Sequence, residues 1–224
     1  MQLVQCWDDG VASDARLTAL LRQHGALATF NLNAGLHQAT RSFGWLHQGT
    51  EVWRLGWDEM RRVYDGFAIA NHSLTHPCLT EVDATELQRQ VVQGREQLQQ
   101  FFGQAVPGFA YPFGEHDTRV VAAVREAGHV VARTAQAPPP GQAVYPPADP
   151  LRFHPSCHFQ APDFWQQHAA ARSGGVFYFW GHSYELVSEG DWAALDAMLT
   201  RLNADPRDAW CEVASLFSGD GAAS

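Results

Sequence analysis

The feature that most limits what this chain can become is its alternation of short apolar runs with longer amphipathic ones. "LVQCW" (3–7) reads as a strand. "VASDARLTALLRQHG" (11–25) reads as a helix, with Ala12, Leu17, Leu20 and Leu21 on one side and Gly25 as the stop. The pattern continues through a strand at 27–33, a short helix at 57–66, a strand at 67–71 and a long helix at 83–103, where Asp83 can cap and Glu86 sits three residues on. Then come a strand at 108–112, a helix at 117–128 and a strand at 129–134. The Pro-rich stretch "APPPGQAVYPPADP" (137–150) cannot form a regular element. After it lie "LRFH" (151–154), a helix at 163–173, the strand "VFYFWGHS" (176–183), a helix at 191–203 and a weak last strand at 209–214. Such an order predicts an α/β fold with parallel strands and right-handed crossovers, as a barrel or an open doubly wound sheet. Both gather functional groups at the C-terminal ends of strands.

With 224 residues, no internal repeat and a Pro-rich loop that lies inside the alternating pattern, one domain over residues 1–224 is expected. A net charge of -9 argues against non-specific nucleic-acid binding. No apolar run approaches the ~20 residues of a membrane span. The first residues lack the basic segment and apolar core of a signal peptide, so a cytoplasmic location is expected, or secretion if a leader has been removed. Cys6, Cys78, Cys157 and Cys211 are scattered without a CxxC pair, which predicts reduced thiols. All 15 basic residues are Arg, which excludes Schiff-base chemistry and a Walker-type phosphate loop. No oligomeric state follows from the sequence.

The chemically active residue types fall at the ends of the predicted strands. Asp8 and Asp9 end the first; on "CWDDG" alone a turn would be the reading. "NHSLTHP" (71–77) follows the strand at 67–71, "YPFG" (111–114) follows "GFA", and His182 ends "FYFWGH". His72 and His76 are four apart, a spacing that lets two imidazoles grip one metal, although among 11 His a chance pair is easily found. Ser73 stands where the metalloprotease motif needs Glu, so that motif is excluded. A catalytic metal with two His takes one carboxylate and leaves a second free as a base. A cation nearby would also keep two adjacent acids ionised. One Asp and two His suit zinc and also admit cobalt, nickel or iron.

In this order, "DDG", "HSLTH", "YPFG" and a hydrophobic strand ending in His resemble the polysaccharide deacetylases of carbohydrate esterase family four, over roughly residues 3–186. The resemblance implies an irregular (β/α) barrel with about seven parallel strands. It implies that Asp9, His72 and His76 hold a divalent metal, most simply zinc, and that Asp8 is the general base. It further implies that the Phe113 backbone N–H helps hold the oxyanion and that His182 is the acid that protonates the leaving amine. The substrate would be an N-acetylated carbohydrate; relatives of this fold also open small cyclic amides.

Two departures stand out. The family's third motif begins with an Arg that orients the base, and here that position is Ala110; Arg133, at the end of the strand 129–134, is the candidate replacement. The Asp and Trp that tune the acid His in the family's fourth motif are not evident. His154 and His158 either line the cleft or are structural. Tyr111 and Tyr184 are candidates to stack on a sugar, whereas Trp7, Phe177, Phe179 and Trp180 are expected in the core. Glu185 fits a helix start or the cleft. Trp45, Trp53 and Trp57 fall in a segment without clear periodicity. A small non-sugar amide hydrolase, or a non-catalytic metal- or glycan-binding protein, are the competing readings; the retained Asp8 and His182 speak against the second.

Overall fold

The computed structural model describes residues 1–138 and 144–217. Its central sheet is parallel throughout, with strands β1 (Gln2–Asp8), β2 (Thr29–Leu32), β5 (Ala68–Asn71), β6 (Gly108–Ala110), β7 (Val131–Arg133), β8 (Cys157–His158) and β9 (Val176–Gly181) in the order β7-β6-β5-β2-β1-β9-β8. The short strand β10 (Ala209–Trp210) pairs with the start of β1. Helices α1 (Asp14–Gln23), α2 (Trp57–Val63), α5 (Thr118–Glu126), α6 (Phe164–Ala171) and α7 (Glu189–Leu202) provide crossovers, as strand–helix alternation requires.

Strand parity shows that this sheet is curled. Leu3, Trp7, Phe30, Phe177 and Phe179 pack outward with the helices in the largest core cluster. Val4, Cys6, Val131, Phe153, Val176 and Tyr178 form a separate cluster. Val131 on β7 and Val4 on β1 are four strands apart in the sheet order, so their cluster is the interior of an incomplete barrel. The gap between β7 and β8 is bridged by irregular chain: Phe153 pairs with Arg133, and the Ser156 N–H donates to the Tyr178 carbonyl. The expected irregular (β/α) barrel of about seven parallel strands is thus found.

Three elements differ from the sequence reading. Residues around Trp45 and Trp53 form an antiparallel hairpin, β3 (Ser42–His47) and β4 (Thr50–Arg54). The long helix is divided into α3 (Ala84–Gln88), a π-helical segment (Arg89–Gln93) and α4 (Gly94–Phe102). "LRFH", which the pattern alone does not type, begins in a 3-10 turn, Pro150–Arg152, that precedes the single bridge at Phe153. Only Ala209–Trp210 of the last predicted strand pairs, followed by a 3-10 turn, Val213–Phe217. Residues 139–143 of the Pro-rich stretch lie outside the described residues. No helix among the described residues is long and apolar enough to cross a membrane.

Candidate active site

Parity along the strands decides which side chains meet. In β1, Val4 and Cys6 face the barrel interior, so Asp8 must as well. Val131 puts Arg133 on the same inner face, and Tyr178 does so for Trp180 and His182. These groups, with Asp9, His72, His76, Phe113 and Tyr184, line a cavity of about 260 Å³ at the C-terminal ends of the strands. A larger depression of about 540 Å³ lies beside Thr29, Ala68 and Gly108 at the opposite ends of their strands and has no His in its wall.

Asp8 is the most constrained acid. It is 1% exposed; Asn31 Nδ2 donates to its Oδ1 at 2.6 Å and Arg133 Nη2 to its Oδ2 at 2.5 Å. Burial pushes its pKa up, but Arg133 and then His72, His182 and the Asn31 bond outweigh that and hold the carboxyl below its ordinary value. Arg133 is itself buried and lies over the Trp180 ring, 4.5 Å from its centroid. Its strand neighbour in register is Ala110. The guanidinium therefore sits one strand away from the place where the resemblance expects it, at the same height in the barrel.

Asp9, His72 and His76 each bring a ligand atom within 4.8 Å of the others. The His72 Nδ1–H donates to the Ala110 carbonyl at 2.8 Å, which leaves the Nε2 lone pair free and 3.1 Å from His76 Nε2. Burial, followed by the nearby His72, lowers the His76 pKa to about 4, so its ring is neutral at ordinary pH. Two ring nitrogens at this distance, one with its tautomer fixed, beside a carboxylate, fit one divalent ion. The pair sits in a turn, in which Ser73 and His76 have φ of 64° and 60°, and the His76 N–H donates to Ser73 Oγ. Asp9 (φ 81°) and Phe113 (φ 59°) are left-handed too. Four non-glycine residues in this region within one site, each costing about 1–2 kcal/mol, are a mark of function.

The DDG turn is held from outside by the hairpin. The Leu55 N–H donates to the Gly10 carbonyl, the Ala12 N–H to that of Trp53, and Arg54 Nη1 to that of Asp9. Gly10 has φ +67°, and a Cβ there would meet His37 Cε1 at 2.7 Å. The hairpin also puts Trp45 and His47 edge-on against Tyr184 at the cavity mouth, with ring centroids 5.1 and 5.0 Å away.

On the far side of the cavity, His182 Nε2 is 3.9 Å from Asp8 Oδ2 and 4.0 Å from Asp9 Oδ2. Burial lowers its pKa, but Glu185, Asp8 and Asp9 outweigh this and raise it above the ordinary value. The Glu185 carboxylate accepts the His182 backbone N–H at 3.0 Å and stands 3.0 Å from His158 Nε2.

The structure thus brings Asp8, Asp9, His72, His76, Phe113, Arg133, Tyr184 and His182 to one cavity. It corrects two aromatic expectations. Tyr111 borders the cavity but is 1% exposed, with its hydroxyl donating to the Leu151 carbonyl; parity turns its ring outward with Phe109, so it is no sugar platform. Trp180 is half-buried against Arg133 in the cavity wall and does not belong to the core proper. His154 bonds to Thr134, whereas His158 joins Glu185. Sequence reasoning missed Asn31 and the pairing of Glu185 with His182; the H-x-x-E spacing was the available signal for the second.

The sequence profile described as polysaccharide deacetylase matches residues 2–132, more than half of the chain. The chain belongs to the polysaccharide deacetylase family. No curated protein matches it. Among solved structures, similarity extends to the Bc1960 peptidoglycan N-acetylglucosamine deacetylase in complex with a hydroxamate-type benzamide, at 18% identity and TM-score 0.61, covering 96% of this chain and 87% of that one. A family 4 acetyl xylan esterase from Clostridium thermocellum, solved with a cobalt ion, gives 17% identity and TM-score 0.61 over 97% of this chain and 91% of that one. The Streptococcus pyogenes deacetylase PplD in complex with acetate gives 17% and 0.51, covering 59% of this chain and 55% of that one, so the chain matches about half the length of that relative. At these identities the likeness is one of fold.

Proposed function

We propose that this family member is a divalent-metal-dependent hydrolase that removes N-acetyl groups from a sugar or glycan. The observation that carries the reading is the division of labour around one cavity. A carboxylate kept ionised by Arg133 lies beside a separate carboxylate and two imidazoles, with a third imidazole opposite. A divalent ion held by Asp9, His72 and His76, zinc being the simplest choice, would supply an acidified water and polarise the acetyl carbonyl. Asp8 Oδ2 accepts the proton of the attacking water, because Arg133 and Asn31 hold it ionised and aimed inward. The Phe113 backbone N–H donates to the carbonyl oxygen as charge develops there. His182 Nε2 gives its proton to the departing amine nitrogen, and the Glu185 carboxylate beside Nδ1 keeps the ring turned for that transfer. Tyr184 offers the aromatic face for the sugar ring at the mouth.

One observation favours a second reading, a small non-sugar amide: the cavity, at about 260 Å³, is at the small end for a ligand site. Acetate release from N-acetylglucosamine oligomers and from small amides, measured before and after chelation and metal return, separates the two. The Asp8→Asn variant should keep its metal and lose roughly 10²–10⁴-fold in turnover. A chain that binds no metal after reconstitution, or an Asp8→Asn variant as active as the parent, would overturn the mechanism.

A further inference from the structure

Beyond the Asp9, His72 and His76 set, a second group of side chains converges among the described residues. His158 from β8, His182 just after β9 and Glu185 in the turn Ser183–Glu185 bring one ligand atom each within 4.8 Å of one another. Glu185 Oε2 is 3.0 Å from His158 Nε2 and 3.3 Å from His182 Nδ1. Tetrahedral bonds of ~2.0–2.1 Å place neighbouring ligand atoms about 3.3 Å apart, so this spacing suits a zinc-sized ion. His182 Nδ1 is buried, and its only close partner, the Glu185 carboxylate at 3.3 Å, is an ion-pair contact out of hydrogen-bond alignment among the described residues. The Gln160 backbone N–H donates to His158 Nδ1 at 3.3 Å, so Nε2, 3.0 Å from Glu185, carries the ring proton; zinc at Nε2 moves that proton to Nδ1 and gives up this hydrogen bond. The three side chains keep 25%, 18% and 19% of their surface exposed, which leaves an approach for an ion and a position for water.

We propose that His158, His182 and Glu185 form a second divalent-cation site, weaker than the first, and that zinc bound there stops turnover. The site is weaker because it is more open and because its carboxylate already accepts the His182 backbone N–H. The inhibition, though not the binding, rests on the reading of His182 as proton donor. Zinc at Nδ1 displaces the Nδ1 proton to solvent and leaves one proton on the ring, at Nε2. Giving up that last proton would create an imidazolate, so the ring no longer acts as an acid near neutral pH. The ion's own charge opposes protonation further.

The test is a zinc titration of the metal-depleted full chain by calorimetry, with ions counted at fixed free zinc. The parent should bind two ions in two classes, the second at least ~10-fold weaker. His158→Gln should lose the second and keep the first, which also shows that the variant is folded; Asp9→Asn should lose the first and keep the second. Acetate release by the parent should rise and then fall as zinc is added, and that of His158→Gln should only rise. One class of one ion in the parent, or a second class that survives in His158→Gln, overturns the site. Two classes without a fall in rate overturn the inhibition. A second class lost in His158→Gln, in a protein that deacetylates nothing, leaves the cation site standing and removes the deacetylase reading instead.

Discussion

Replacing Arg133 by Met keeps the length of the side chain and removes its charge from the buried pair with Asp8. Two effects follow, and both can be sized from the structure. The pair is 2.5 Å apart with side chains 3% and 2% exposed, so Asp8 would be left as a buried, uncompensated carboxylate. Breaking such a pair from one side costs about 3–5 kcal/mol of stability. The lost charge-assisted hydrogen bond is worth about 1.5–3 kcal/mol, or roughly 10- to 150-fold in turnover if it acts wholly in the transition state. Because Arg133 is the foremost group holding the Asp8 pKa down against burial, its loss should also move the acidic limb of the kcat/KM profile to higher pH. The assay is acetate release by the metal-loaded protein from pH 4 to 9, together with calorimetric Tm. Arg133→Lys, which keeps the charge without the planar fork, should recover part of both. A lowered Tm with unchanged turnover and an unmoved acidic limb would show that Arg133 only supports the fold.

Three further outcomes follow from the structure. Glu185→Gln should lower amide turnover roughly 10- to 100-fold yet change p-nitrophenyl acetate hydrolysis less than about threefold, because that leaving group needs no proton; equal losses on both would refute the role of Glu185 at His182. Asp14 is fully buried, accepting hydrogen bonds from Tyr64 and Ser183, and burial raises its pKa from 3.8 to about 7. The folded state therefore holds a proton that the unfolded state releases, and stability from this group falls as pH rises from about 4 to 7, by up to about 4 kcal/mol. Denaturant titrations should show Asp14→Asn gaining on the parent across that window and no further above it. Gly10→Ala should lose about 1–3 kcal/mol in the same assay, since φ +67° and the His37 ring both oppose a Cβ; an unchanged midpoint would contradict that.

The alternation of apolar and amphipathic runs revealed the sheet because parallel strands covered on both faces must be apolar almost throughout, as "LVQCW" is. The same strands placed the chemistry at their ends, where Asp8, the His72–His76 turn and His182 are found. Arg133 could be chosen from strand position alone because sheet neighbours share a height. What stayed hidden needed three dimensions. Parity put Tyr111 outside, since Phe109 beside it in sequence spacing packs on the outer face. The hairpin carried a legible mark in its Gln48–Gly49 turn, where both residues have positive φ, but its bulge between Phe43 and Trp45 breaks the two-residue period that would announce a strand. Glu185 and His182 are related by a fold of the chain after β9 that no periodicity encodes.

The π-helical segment Arg89–Gln93 bears on how this protein could be engineered. The Gln90 carbonyl accepts the Leu74 N–H and the Val91 carbonyl accepts Asn71 Nδ2, while the Gln90 side chain caps Thr75. The wide turn frees main-chain oxygens that a regular helix would consume, and all of them serve the chain on either side of His72. Deleting one residue to restore regular helical pitch would improve the helix taken alone. It would also withdraw the struts from the turn that aims His72 and His76. Stabilising substitutions in this helix therefore belong on its solvent face, and its irregular register should be left as it stands.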